Sequence, residues 1–214
     1  MQRLLTFLSP TFPVGAFAWS QGLETAIADR RIVDAASLRE WMAGLIAHGG
    51  LRSEAILLAH AYHATDDAAS LAALAELGVA LTAPAERYLE TTLTAQAFIT
   101  ATRAWGSDVA ARLPDPCPYP VAVGAIAADQ DIELGDALLG YLTATIQAQV
   151  SVAVRLVPLG QTAGLEVIAT LEPPVASLAL FAATASLDDI GGIAYAAEIA
   201  QMRHETIGVR VFRS

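Results

Sequence analysis

His60 and His63 stand one helical turn apart, the spacing at which two imidazoles share a helix face and can grip a metal ion. Only His48 and Glu54 lie nearby in sequence, and two ligands do not close a metal site. Cys117 sits between Pro116 and Pro118, with no second cysteine in the chain, and reads as an inert thiol rather than a nucleophile. Ser9, Ser20 and Ser151 lack the Gly-x-Ser-x-Gly setting of a hydrolase nucleophile. Gly135 and Gly140 have the spacing of a phosphate loop, but Tyr141-Leu142 follow where that chemistry needs Lys and Ser or Thr. Asp188-Asp189 reads as a helix start rather than an acid–base pair. All twelve basic residues are arginine. The absence of lysine removes Schiff-base, kinase and Walker-type chemistries together. No catalytic residue is expected, and no cofactor.

The last residues differ from the rest. From Arg203 the chain reads Arg-His-Glu-Thr-Ile-Gly-Val-Arg-Val-Phe-Arg-Ser. Three arginines against one glutamate make this tail cationic, on a chain whose net charge is −10. Arginine beside an aromatic is the composition of an interface anchor. Such a tail docks either onto its own acidic body or into a partner; the alternative is a frayed terminus.

The elements that must carry these residues read as helices throughout. Residues 1–20 hold two prolines and an aromatic set, Phe7, Phe12, Phe17 and Trp19, that reads as exposed, with a turn at Pro13-Val14-Gly15-Ala16. A short helix is expected over 21–29. The next, capped by Asp34 or by Ser37 with Glu40 in a capping box, runs to His48 and stops at Gly49-Gly50. Further helices are expected over 52–64, over 68–81 behind Asp66-Asp67, and over 85–111 with Pro84 at the start. Four prolines make 113–120 a loop, and 121–128 a short helix follows. The uncharged run 137–154 is barely long enough to cross a bilayer and is broken by Thr, Gln and Ser, so it reads as a buried segment. Its second half alternates polar and apolar like a strand, but no partner strand is evident, and acids before it with Arg155 behind it suit a helix. Helices over 164–171, 175–186 and 193–202, the first two separated by Pro173-Pro174, complete an all-α, single-domain bundle of about ten helices.

Composition bounds the partners. Hydrophobic residues make up 55% of the chain and charged ones 16%, with mean hydropathy +0.48. Alanine accounts for part of this, but the density of Leu, Ile and Val points to apolar surface that partners cover. A pI near 4.7 excludes a large phosphate-neutralising face and hence nucleic acid. One cysteine suits a reducing compartment. The N-terminal apolar stretch reads as too short for a signal peptide before Ser9-Pro10 breaks it.

Three separated runs carry a family likeness. They are Ser9-Pro10 with Pro13-Val14-Gly15-Ala16-Phe17 and Trp19-Ser20-Gln21-Gly22-Leu23-Glu24; Arg155-Leu156 with Pro158-Leu159-Gly160-Gln161; and His204-Glu205-Thr206 with Arg210-Val211-Phe212-Arg213-Ser214. Their order and spacing resemble the UreF family of urease accessory proteins over almost the whole chain. Two departures stand out. Ala16 replaces a second glycine, and 89–96 lacks the arginine and glycine of the family's Arg-Glu, Ser and Met-Gly pattern. The resemblance implies an all-α homodimer, cytoplasmic and non-catalytic. It would bridge UreD (UreH) and the GTPase UreG on apo-urease, coupling GTP hydrolysis to nickel delivery and regulating it, with a tail that orders on UreD. The residues it marks for partner contact are Phe12, Pro13, Phe17, Trp19, Gln21, Glu24, Arg155, Gln161, Arg203, His204, Glu205, Arg210, Phe212 and Arg213; Arg87 and Arg103 join Arg155 and the tail arginines as candidates for a finger offered to UreG. A different function remains open beside it, a metallochaperone carrying nickel on His48, His60, His63 or His204.

Overall fold

A computed structural model describes residues 1–213. Among them every regular element is helical: α1 (Gln2–Phe7), α2 (Leu23–Ala28), α3 (Ala35–His48), α4 (Leu51–His63), α5 (Ala68–Ala80), α6 (Ala85–Thr102), α7 (Tyr119–Asp129), α8 (Leu134–Leu156), α9 (Gln161–Ala182) and α10 (Tyr195–His204), with short 3-10 turns between. The all-α expectation holds, including the stretch with strand-like alternation, which lies inside α8. Helix wins there because 23 residues let every backbone group pair locally, while a strand would have needed a neighbour.

The core forms around α4 and α7, which pack on each other and are flanked by α6, α8 and α9. Both central helices are rich in small residues. In α7 every residue from Pro120 to Ala127 is buried, so this helix is apolar all round. Helices α8 and α9 are each long and apolar enough to cross a membrane by length and composition. Here they pack on each other, and α8 buries Leu138, Leu142, Ile146 and Val150 along one face.

Local rules explain most of the boundaries. Asp34 accepts the Ser37 amide at 2.8 Å while Ser37 Oγ takes the Asp34 amide, so the capping box uses Asp34 and Ser37 rather than Ser37 and Glu40. Asp67 caps α5 by accepting from Ala69 and Ser70.

Four expectations are corrected. The helix expected over 85–111 ends at Thr102, passes through a 3-10 turn and is stopped by Gly106 at φ +74°, a left-handed conformation that closes helices. The break turns Trp105 back onto Phe7, whose ring centroid is 5.0 Å away. The two helices expected either side of Pro173-Pro174 are one, α9. Two lost amide bonds are outweighed there by the continuous buried stripe Val167, Leu171, Val175, Leu178 and Ala182. Helix α1 forms in a stretch to which the sequence reading assigned no helix. Finally, of the aromatic set only Phe17 is exposed. Phe7, Phe12 and Trp19 are buried, Phe7 and Phe12 in a nest of edge-on and tilted ring contacts with Phe98 and Trp105.

Candidate docking site

Gln21 and Gly22 both adopt positive φ, +50° and +78°. Glutamine pays a steric cost in that region, and glycine does not. Gly22 is also required by space, since a Cβ there would lie 2.7 Å from the backbone nitrogen of Gln201 on α10. From this tight double turn the Gln21 and Glu24 side chains reach different partners. By contrast Ala16 begins a 3-10 turn and the left-handed residue before it is Gly15, φ +73°, so the alanine that departs from the family pattern carries no backbone penalty.

Glu24 receives the C-terminal tail. Its Oε1 accepts the Val211 amide at 2.8 Å, and its Oε2 accepts the Phe212 amide at 3.0 Å and faces His204 Nε2 at 3.1 Å. The fully buried His204 ring reaches Glu86 Oε2 from Nδ1 at 2.7 Å, and Arg210 pairs with the other Glu86 oxygen. Only the imidazolium can donate from both nitrogens to two carboxylates at once. Burial alone pushes the Glu24 carboxyl up, but the two tail amides and His204 more than offset it and hold it below its ordinary value.

The rest of the tail continues this clasp. Arg203 forks onto both oxygens of Asp29. Glu205 accepts the amide of Ala85 at 2.9 Å, taking the first free N–H of α6, where Pro84 supplies no capping side chain. The Arg213 amide bonds to the Ala18 carbonyl at 2.7 Å, and its guanidinium lies 5.8 Å from the Trp19 ring centroid. Phe212 is buried. Thus the tail takes the first of its two expected dispositions, folded onto its own acidic body. Ser214 lies outside the described residues.

Eight of the fourteen marked residues take part in this clasp: Trp19, Glu24, Arg203, His204, Glu205, Arg210, Phe212 and Arg213. Phe17 and Arg155 meet each other, the Phe17 ring centroid 5.4 Å from the guanidinium, and Gln21 turns to Glu90. The others stand elsewhere. Phe12 is in the aromatic nest, Pro13 is exposed beside a shallow groove with Leu5 and Trp105, and Gln161 is the exposed first residue of α9.

Gln21 donates to Glu90 Oε1 at 2.7 Å. Arg87 pairs with Glu90 and with Glu54, and Tyr141 donates to the second Glu54 oxygen at 2.8 Å. Burial pulls the Arg87 guanidinium down, but the two carboxylates hold it above its ordinary value. Glu90 is raised, chiefly by burial. Arg87 is thereby removed from the candidates for a finger offered to a partner, whereas Arg103 and Arg155 stay exposed. Glu54, Glu86 and Glu90 were missed by sequence reasoning. The Arg87–Glu90 spacing of one helical turn just after Pro84 was the available signal.

The histidines do not converge. His60 bonds through Nε2 to the Ala185 carbonyl, His63 packs its ring against Tyr62, and His48 ends α3. Among the described residues no group of three or more His, Cys, Asp or Glu is arranged to hold a metal. Burial pushes the Cys117 thiol up to about 12, so it stays protonated.

The comparisons with known proteins meet this geometry directly. The UreF family model matches residues 32–172. The urease accessory protein UreF of Agrobacterium fabrum is 45% identical over 99% of the chain and 95% of its own length. The chain belongs to the UreF family. Further UreF relatives match as fully: that of Rhodopseudomonas palustris strain TIE-1 is 46% identical over 99% of the chain and 91% of its own length, and that of Rhizobium johnstonii 43% over 99% and 95%. The UreF match over 32–172 runs from just before α3 into α9, while the Gln21-Gly22-Leu23-Glu24 turn and the tail lie outside it and inside the full-length likeness.

Proposed function

We propose that this chain is a non-catalytic cytoplasmic adaptor of urease maturation, a single domain with 203–214 as its docking tail. It bridges UreD (UreH) and the GTPase UreG on apo-urease, acts as a homodimer, and regulates the GTP hydrolysis that accompanies nickel insertion. The observation that carries the reading is the outer face of the clasp. The tail is pinned from beneath by Glu24 and Glu86, yet Val209 and Val211 are 87% and 72% exposed. Along α10, Tyr195, Ile199 and Met202 repeat at helical spacing and are also exposed. Exposed apolar side chains flanked by Arg203, Arg210 and Arg213 are what a protein partner covers.

The test is size-exclusion chromatography with light scattering of the chain mixed with its cognate UreD and UreG. A stable ternary complex is expected. Deleting 203–214 abolishes UreD binding while helix content stays nearly unchanged. Because that deletion also uncovers Glu24 and Glu86, a Val209→Asp/Val211→Asp double variant, which leaves the clasp bonds in place, is measured beside it. UreD affinity retained in both variants overturns the assignment of the tail. Tight stoichiometric nickel binding by the isolated chain would count against a pure adaptor.

A further inference from the structure

His204 is the last residue of α10 and has no exposed surface. Three elements close on its ring. Helix α2 sets Glu24 Oε2 against Nε2 at 3.1 Å, and α6 sets Glu86 Oε2 against Nδ1 at 2.7 Å. The tail contributes Arg210, whose guanidinium is bound to the other oxygen of Glu86. The neighbouring charges are turned elsewhere: Arg203 to Asp29, Arg87 to Glu54 and Glu90, and Glu205 to the Ala85 amide. The ring therefore faces two carboxylates and one arginine, at the negative end of the α10 dipole.

Loss of the ring proton would act unequally on the two contacts. A neutral imidazole keeps one N–H, and the shorter contact, to Glu86, is where it stays. Nε2 then turns a lone pair on Glu24 Oε2, a second acceptor, on a ring that water does not reach. Glu24 is the carboxylate that pins the tail, and Oε2 is the oxygen that also accepts the Phe212 amide. Glu24 does not relieve the repulsion by taking up the proton itself, because the tail amides hold its carboxyl below its ordinary value.

We propose that His204 is a proton-operated latch on the tail: protonated, it seats residues 210–213 on Glu24, and its deprotonation as pH rises lets them go while the helical body stays folded. The sign is that of a histidine with acidic partners, its contribution present at lower pH and lost as pH rises. The latch belongs to the chain alone. Its consequence rests on the reading of the tail as a docking surface: a seated tail presents Val209 and Val211 in one arrangement, whereas a loose one must be ordered again on binding.

Amide hydrogen exchange of the full chain from pH about 6 to about 9.5, with protection taken relative to the unstructured rate at each pH, tests this across the range in which histidines titrate. Protection of the Val211 and Phe212 amides is expected to fall at least about ten-fold, the scale of a charge-assisted hydrogen bond lost in a buried site, while the amides of α8 keep theirs. The His204 ring nitrogens, followed by NMR, are expected to pass over the same interval from both bearing hydrogen to one. His204→Gln cannot gain or lose the charge, and the amide of Glu24→Gln donates to the neutral ring. Each variant is expected to protect the tail less at pH about 6 and to show no further fall. Melting of each establishes that it is folded. Tail protection unchanged up to pH about 9.5, a His204 ring already neutral at pH about 6 with the tail seated, or an equal alkaline fall in a folded variant overturns the proposal. UreD takes no part in the measurement, so failure of the docking assignment would leave the latch standing.

Discussion

Two ionic clusters sit on neighbouring positions of α6, and they are built for different purposes. Arg87 and Glu90 face inward to Glu54, Tyr141 and Gln21, while Glu86 faces His204 and Arg210 of the tail. The inner cluster joins helices of the body that hydrophobic packing already brings together. In the clasp, half of the partners come from the tail, and backbone amides of an extended segment fill the remaining positions on Glu24. Charge buried in the body therefore holds the fold, whereas charge at the clasp holds a segment that can be let go. Removing one partner from each should separate these roles.

Arg87→Met is expected to have the largest effect. It leaves Glu54 and Glu90 buried without their cation, which costs about 3–5 kcal/mol and lowers the unfolding midpoint of the whole chain in urea. Glu24→Ala comes next. It strands the Val211 and Phe212 amides and one face of His204, for about 1–3 kcal/mol, or roughly 2–4 °C in Tm per kcal/mol at this size. Its signature is local: trypsin should cut at Arg203 and Arg210 well before the body is digested. Equal protection of the tail in the variant and the parent would erase the distinction between the clusters.

Acid sharpens the same comparison by sign. The Glu24 carboxyl lies below its ordinary value of 4.5, so its contribution is present above that value and is lost as pH falls through the lowered one. Glu90 lies above 4.5, so the folded chain takes up that proton before the unfolded chain does, and its ionised form is the costly one. Hydrogen-exchange protection of the Val211 and Phe212 amides should therefore fall on acidification while protection along α6 and α8 persists; simultaneous loss would contradict it. The smallest effect is expected for Glu205→Gln. It weakens one exposed carboxylate at the start of α6 and costs less than about 1 kcal/mol, readable as a slight drop in Tm.

Much of this was legible in the sequence because the local rules are strong. Asp34, Asp67 and Gly49 placed helix ends, and the all-helical reading of α8 followed from its flanking charges. Eight of the fourteen marked residues, drawn from both ends of the chain, meet in the clasp. What the sequence did not reveal depended on distant partners. Glu86 and Glu54 look like ordinary solvated acids until the fold sets a histidine and an arginine against them. Pro173-Pro174 looks like a break until the apolar stripe of α9 is seen pressed against α8. Trp19 and Phe12 look exposed because a proline-rich segment gives no periodicity from which burial can be inferred.

The contact between Glu24 and Phe212 joins residues 188 positions apart. Closing so long a loop yields little until its ends are already neighbours. Helices α2 and α6 must therefore be seated on the body before the two carboxylates stand close enough for His204 to bridge them. On this account the clasp is among the last parts of the molecule to form during folding and, being tied down by few residues, among the first to open, so that a seated tail reports a body that has already folded correctly.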